Sequence, residues 1–167
     1  GDVRLNVLGV PYLIDSDIRV NPGSTMTVDP GVVVKLEGNE TDLYIDGNFV
    51  AEGTSAQPIV FTSLRDDSVL EDSNPDDATP PDRGNWGGIV FSSTVTNARI
   101  KNARIAFGGS SSFYAADCSL NISGAAPLIE SVDFDRNEDA VCAFANAQPD
   151  LGDGAGHEHA IINPARQ

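Results

Sequence analysis

Residues 17–62 read DIRVNPGSTMTVDPGVVVKLEGNETDLYIDGNFVAEGTSAQPIVFT. Within them lie six short runs rich in Val, Ile, Phe and Thr: Asp17–Val20, Thr25–Val28, Val32–Leu36, Leu43–Ile45, Asn48–Ala51 and Pro58–Thr62. Each is too brief for a helix, and its β-branched and aromatic side chains suit a pleated surface. Turn chemistry separates them at Asn21-Pro22-Gly23, Asp29-Pro30-Gly31, Asp46-Gly47 and Glu52-Gly53. Laid three at a time, Asp17–Val20 falls over Leu43–Ile45, Thr25–Val28 over Phe49–Ala51, and Val32–Leu36 over Ile59–Thr62. The offset is about 25 residues, the length of a solenoid rung. Side chains alternate along a strand, so Val32, Val34 and Leu36 share one direction with Ile59 and Phe61 stacked on them, and Lys35 points outward.

The same reading extends both ways from this stretch. A third rung runs through Trp86–Phe91, Asn97–Ile100 and Ala103–Phe107, with Ile100, Ile105 and Phe107 inside and Arg99, Lys101 and Arg104 outside. A fourth runs through Ser119–Ile122, Pro127–Phe134 and Ala140–Phe144. Val3–Ile14 reads as a partial rung covering one end, and Ala160–Ile162 as a strand near the other. No window of about 11 residues keeps a helical period without a Gly or Pro inside it, so little or no helix is expected. The expected fold is all-β, a parallel β-helix of about four rungs with three short strands per rung. It forms one domain over residues 1–167, with an acidic loop insertion at about 64–85. Solenoid ends expose strand edges and apolar core unless capped, and the alternative to these end segments is that the chain is part of a longer protein or that its ends pair between chains.

The succession GSTMTVDPGVVVKL, LYIDGNFVAEGT, QPIVFTS and, after the insertion, NWGGIVF resembles the repeats of right-handed parallel β-helix proteins of the pectate-lyase-like superfamily. It is similar in particular to β-helix domains of large bacterial secreted or surface proteins. That resemblance implies a secreted or cell-surface location, and it leaves the activity open, because the architecture carries enzymes, adhesins and plain stalks.

Charge narrows the partners. Ten Lys and Arg against 25 Asp and Glu give a net charge of −15, which disfavours nucleic acid and anionic membrane surfaces. No run approaches the roughly 18 apolar residues of a membrane span, and GDVRLNVLG has no signal-peptide character, so an exported protein would have lost its leader before residue 1. Polysaccharide or protein partners remain. The two cysteines, Cys118 and Cys142, form no Cys-x-x-Cys pair. Cys118 shares strand parity with Leu120 and Ile122 and so faces inward; whether it bridges Cys142 depends on geometry and on an oxidising compartment.

Four groups of residues are candidates for chemistry. The 64–85 insertion holds Asp66, Asp67, Glu71, Asp72, Asp76, Asp77 and Asp82, hard oxygen ligands of the kind calcium takes, and Asp66, Asp67, Asp72, Asp76 and Asp77 are the candidate metal set. The plain alternative is a solvated acidic loop. Trp86, Phe113 and Tyr114 are candidate rings for glycan binding, although a Trp followed by two glycines can instead cover the core where the chain re-enters the stack. His157 and His159 lie on one face of an extended segment without a third metal ligand nearby. Outward Arg99, Lys101 and Arg104, with Asp133 and Asp135, could serve a polyuronate lyase, which needs cations for the substrate carboxylate and a base for its proton. The expected function is a non-enzymatic extracellular module, a spacer or a recognition surface for adhesion or glycans, with calcium as its candidate cofactor. The alternative is a polysaccharide lyase or hydrolase of the β-helix class.

Overall fold

The computed structural model describes residues 1–70, 73, 79–110 and 117–152. Among them there are strands and turns and no helix. The strands stack in three columns, one on each side of a coiled chain. Column one holds β3 (Ile18–Val20), β6 (Leu43–Ile45), β9 (Ile89–Phe91), β11 (Cys118–Ser123) and β13 (Asp139–Phe144), which pair in that order as a five-stranded sheet. Column two holds β1 (Val3–Leu5), β4 (Thr25–Val28), β7 (Asn48–Glu52) and the first halves of β10 (Ala98–Ala106) and β12 (Leu128–Asp135). Column three holds β2 (Tyr12–Ile14), β5 (Val33–Leu36), β8 (Ile59–Ser63) and the second halves of β10 and β12. Every pairing is parallel.

The register follows the sequence repeat. Ile18 sits on Leu43, Met26 on Phe49 and Val34 on Phe61, offsets of 25, 23 and 27 residues around the expected rung length. Alternation then carries one set of side chains inward. Val28, Val34, Leu36, Ile45, Phe49, Ile59, Phe61, Phe91, Ile100 and Ile105 form one continuous core cluster. Phe49 meets Phe91 edge-on with ring centroids 5.9 Å apart, so rungs lock through rings as well as aliphatic layers. The corners are tight. A Cβ at Gly47 would stand 2.3 Å from the Ser24 carbonyl oxygen and 2.4 Å from that of Asn21, so only glycine lets this corner rest on the one beneath.

Four sequence expectations change. The runs at Asn97–Ile100 and Ala103–Phe107 are one bent strand, because Asn102 takes a left-handed φ of 44° and swings β10 from column two to column three. Ser131, in the equivalent place on β12, does the same with φ 54°. Ala140–Phe144 does not close the fourth rung; as part of β13 it stacks on β11 and opens the next turn, with Leu120 opposite Val141. Lys35 and Phe107 are also placed differently. Lys35 alternates away from the core as expected, yet it is fully buried, because its ammonium donates to Ser73 of the insertion at 2.5 Å. Phe107 is buried outside the core cluster, its ring beneath the guanidinium groups of Arg104 and Arg136. The partial rung at Val3–Ile14 forms as β1 and β2, while Ala160–Ile162 lies outside the described residues.

Candidate functional site

Column three carries the densest polar cluster on its outer side, where the chain leaves β8 for the insertion. Register puts Lys35 opposite Thr62 and Arg104 opposite Asp133. Arg104 reaches between two carboxylates, 3.3 Å from Asp66 on the insertion side and 2.7 Å from Asp135 at the end of β12. Asp66 is buried and also accepts hydrogen bonds from the Thr62 hydroxyl at 2.6 Å, the Ser68 hydroxyl at 2.5 Å and the Ser68 amide at 3.2 Å. Arg136 lies 3.3 Å from the same Asp135 oxygen and stacks 4.4 Å over Phe107. Asn137 clamps the corner below, donating to the Ile105 carbonyl and accepting from the Gly108 amide, each at 2.8 Å.

The electrostatics of this cluster are those of mutual neutralisation. Burial works to raise the Asp66 pKa, but hydrogen bonds from Ser68 and Thr62 and the charge of Arg104 outweigh it, so the carboxyl is held below its usual range. At Asp135 burial is likewise outweighed, by the bonds and charges of Arg104 and Arg136, and its pKa is lowered. Burial alone would lower the Arg104 pKa, and the two carboxylates raise it instead. A carboxylate so stabilised is a weak base, and a guanidinium already shared by two acids has little left for a substrate. The other outward cations are similarly engaged. On column two, Lys101 sits between Glu52 and Glu130 at 3.9 and 3.1 Å, and Arg99 lies 3.8 Å from Glu52. Here register stacks acid, lysine and acid on successive rungs.

A second polar cluster lines column one. Asp42 is buried and accepts from the Gly88 amide at 2.6 Å and the Tyr44 hydroxyl at 2.9 Å. Burial, that hydrogen bond and the charges of Asp42 and Asp17 push the Tyr44 pKa up to about 12, against the pull of Arg19. Tyr44 is therefore a fixed hydrogen-bond donor at neutral pH.

The candidates from the sequence are thus distributed unevenly. Trp86 has no accessible surface, and its indole N–H donates to the Ala106 carbonyl at 2.7 Å, so the ring belongs to the core and offers no platform to a glycan. This corrects its place among the ligand-binding rings and matches its other reading as cover where the chain re-enters the stack. Phe113, Tyr114, Asp72, Asp76, Asp77, Glu71, His157 and His159 lie outside the described residues. Of the candidate calcium ligands, Asp66 is occupied by Arg104, Thr62 and Ser68, while Asp67 has one buried carboxylate oxygen without a hydrogen-bond partner. Among the described residues no three acids, cysteines or histidines converge as a metal set. Cys118 and Cys142 form a disulfide between neighbouring strands of column one, with Cα atoms 5.9 Å apart. Sequence reasoning missed the Arg104 cluster as a unit because its members lie 38 and 31 residues apart; only the rung register joins them.

The fold fits one known group of proteins. A family model described as a pectate-lyase like β-helix domain matches residues 3–123. The chain belongs to this family. A stretch of 64 residues is 39% identical to Protein bark beetle of Drosophila melanogaster. The aligned stretch is 38% of this chain and 2% of that relative's length. The relative is an animal protein, so this match gives no support to the bacterial kinship suggested by the repeat words. No solved structure matches. No helix among the described residues is long and apolar enough to cross a membrane.

Proposed function

We propose that the chain is a non-enzymatic extracellular β-helix module, a rigid surface that holds or recognises a partner within a larger protein. The observation that carries this reading is the state of the outward cations: Arg99, Lys101 and Arg104, the residues a polyuronate lyase would need, are each engaged by acids on neighbouring rungs. A lyase requires a free cation beside the substrate carboxylate and a base with a usable pKa; these cations are engaged, and the lowered pKa values of Asp66 and Asp135 make both weak bases. The Cys118–Cys142 disulfide supports a location outside the reducing cytosol, where such bonds persist. That one short stretch matches a very small fraction of a much longer relative supports a modular role. Affinity electrophoresis through neutral and acidic polysaccharides, with a product assay on the same mixtures, tests the reading. Retardation without products, or free migration without products, agrees with it; released oligosaccharides contradict it.

One observation favours a calcium-bound form of the same module. The unpartnered buried oxygen of Asp67 lies in the acidic insertion, and an oxygen so placed is suited to a hard cation. A cation that binds only the folded chain raises its melting temperature. Calcium at millimolar concentration should therefore raise the melting temperature and chelator reverse it; identical melting curves would remove calcium from the account.

A further inference from the structure

Two triplets of the sequence, Asn39-Glu40-Thr41 and Asn121-Ile122-Ser123, have the Asn-x-Thr/Ser pattern that accepts an N-linked oligosaccharide, with no proline in the middle. The fold treats them oppositely. The Thr41 amide donates to the Gly38 carbonyl at 3.0 Å, so residues 38–41 form a tight turn with Asn39 and Glu40 exposed at its apex. This turn is the corner between β5 and β6, and Gly38 anchors it by pairing with Trp86 of the next rung. Asn39 borders an open hollow of about 620 Å³ shared with Asp15, Asp17, Glu37 and Glu40, which leaves room beside its amide. Among the described residues no hydrogen bond holds its side chain. Asn121 has the reverse setting. It lies within β11 between Val90 of β9 and Cys142 of β13, has no accessible surface, and its amide nitrogen donates to the Cys118 carbonyl at 2.7 Å. A sugar on that nitrogen would need space that the folded chain already fills.

We propose that the chain carries an N-linked oligosaccharide on Asn39 and none on Asn121. The proposal rests on the extracellular reading above, since the modification belongs to a secretory pathway, where the Cys118–Cys142 bond also persists. The donor is an oligosaccharide linked to a lipid diphosphate, supplied with its transferase by that pathway. The anomeric carbon of the first sugar forms a bond to Nδ2 of Asn39 as its bond to the diphosphate oxygen breaks. The lipid diphosphate leaves with that electron pair, and the amide gives up one proton to the transferase. The structure also sets the order of events. Thr41, whose hydroxyl the acceptor triplet requires, is buried in the finished turn and donates to the Glu37 carbonyl at 2.5 Å. Transfer therefore precedes closure of the turn, and the exposed apex then accommodates the sugar without moving a strand.

The test expresses the full chain behind a cleavable secretion signal in cultured mammalian cells and treats the secreted protein with peptide N-glycosidase, which converts a glycosylated Asn to Asp. Wild type is expected to run as a larger band that the enzyme moves down to the position of Asn39→Gln. Peptide mass spectrometry after digestion in heavy-oxygen water should find the conversion at residue 39 and none at residue 121. Thr41→Ser keeps the acceptor hydroxyl and should keep the glycan. Asn39→Gln should melt with the deglycosylated wild type, because no bond to that side chain is lost. Secreted protein bare at Asn39, or carrying sugar at Asn121, would overturn the proposal. A bare chain that is still secreted with its disulfide closed defeats the glycan alone and leaves the extracellular reading standing. Polysaccharide products released by a chain glycosylated at Asn39 defeat the non-enzymatic reading and support the glycan, so the two failures are distinguishable.

Discussion

Replacing Arg104 by Met removes the charge that Asp66 and Asp135 share and leaves an aliphatic chain of similar reach. Asp66 keeps its bonds from Thr62 and Ser68 but loses the guanidinium beside it, with a side chain just 3% exposed. Removing one member of a fully buried pair costs about 3–5 kcal/mol. Arg104 retains 21% and Asp135 33% side-chain exposure, so solvent screens part of this, and a loss of about 2–3 kcal/mol is expected. In a domain of this size that is a fall in melting temperature of about 4–12 °C. The pH dependence makes the test specific. Both carboxylates have folded pKa values below their unfolded ones, so their stabilisation is full above the unfolded value of about 3.9 and is lost as pH falls through the folded values. Urea unfolding of wild type and Arg104→Met, run from pH 7 down to about pH 3, should show a wide gap at neutral pH that narrows in acid. A gap that stays constant with pH, or is smaller than about 0.5 kcal/mol throughout, would refute the ion-pair account and describe a solvated surface arginine.

Three further outcomes follow from the same geometry. Thiol titration of the unfolded, unreduced chain should find no free cysteine, and Cys142→Ser should cost about 3.4 kcal/mol by chain entropy for a separation of 24 residues, measured from urea midpoints. Trp86→Ala should cost about 3–5 kcal/mol, and the tryptophan emission of the wild type, from the one Trp in the chain, should stay fixed when polysaccharide is added. Gly47→Ala should lower stability by about 1–3 kcal/mol in the same unfolding assay, because its methyl would meet the carbonyls of Asn21 and Ser24.

The rung repeat was legible because its chemistry is local. Pro-Gly and Asp-Gly corners mark strand ends, alternation marks the inward face, and the offset between Ile18 and Leu43 or Val34 and Phe61 is visible before any coordinate. Where the corner chemistry changes, the reading slips: Asn102 and Ser131 turn strands without a Gly or Pro, so β10 reads as two strands and Pro127–Phe134 as one run without a bend. The fate of outward charges was illegible for a different reason. Alternation shows that Lys35 and Arg104 leave the core, but not that an inserted segment returns to bury one and pair the other. Asp66 looked like a calcium ligand for the same cause, since its partner Arg104 is distant in sequence and adjacent only across rungs. Trp86 was ambiguous because a ring before two glycines serves equally as lid or platform, and the bond to the Ala106 carbonyl decides it.

The central claim is that Arg99, Lys101 and Arg104, the outward cations of columns two and three, are each engaged by neighbouring carboxylates. The most direct test is to incubate the chain at high concentration with neutral polysaccharides and with polyuronates, with calcium and with chelator, and to assay both reducing ends and unsaturated products. The account predicts no product above the protein-free blank in any mixture. Products that appear with the wild type and vanish with Arg104→Met would contradict it.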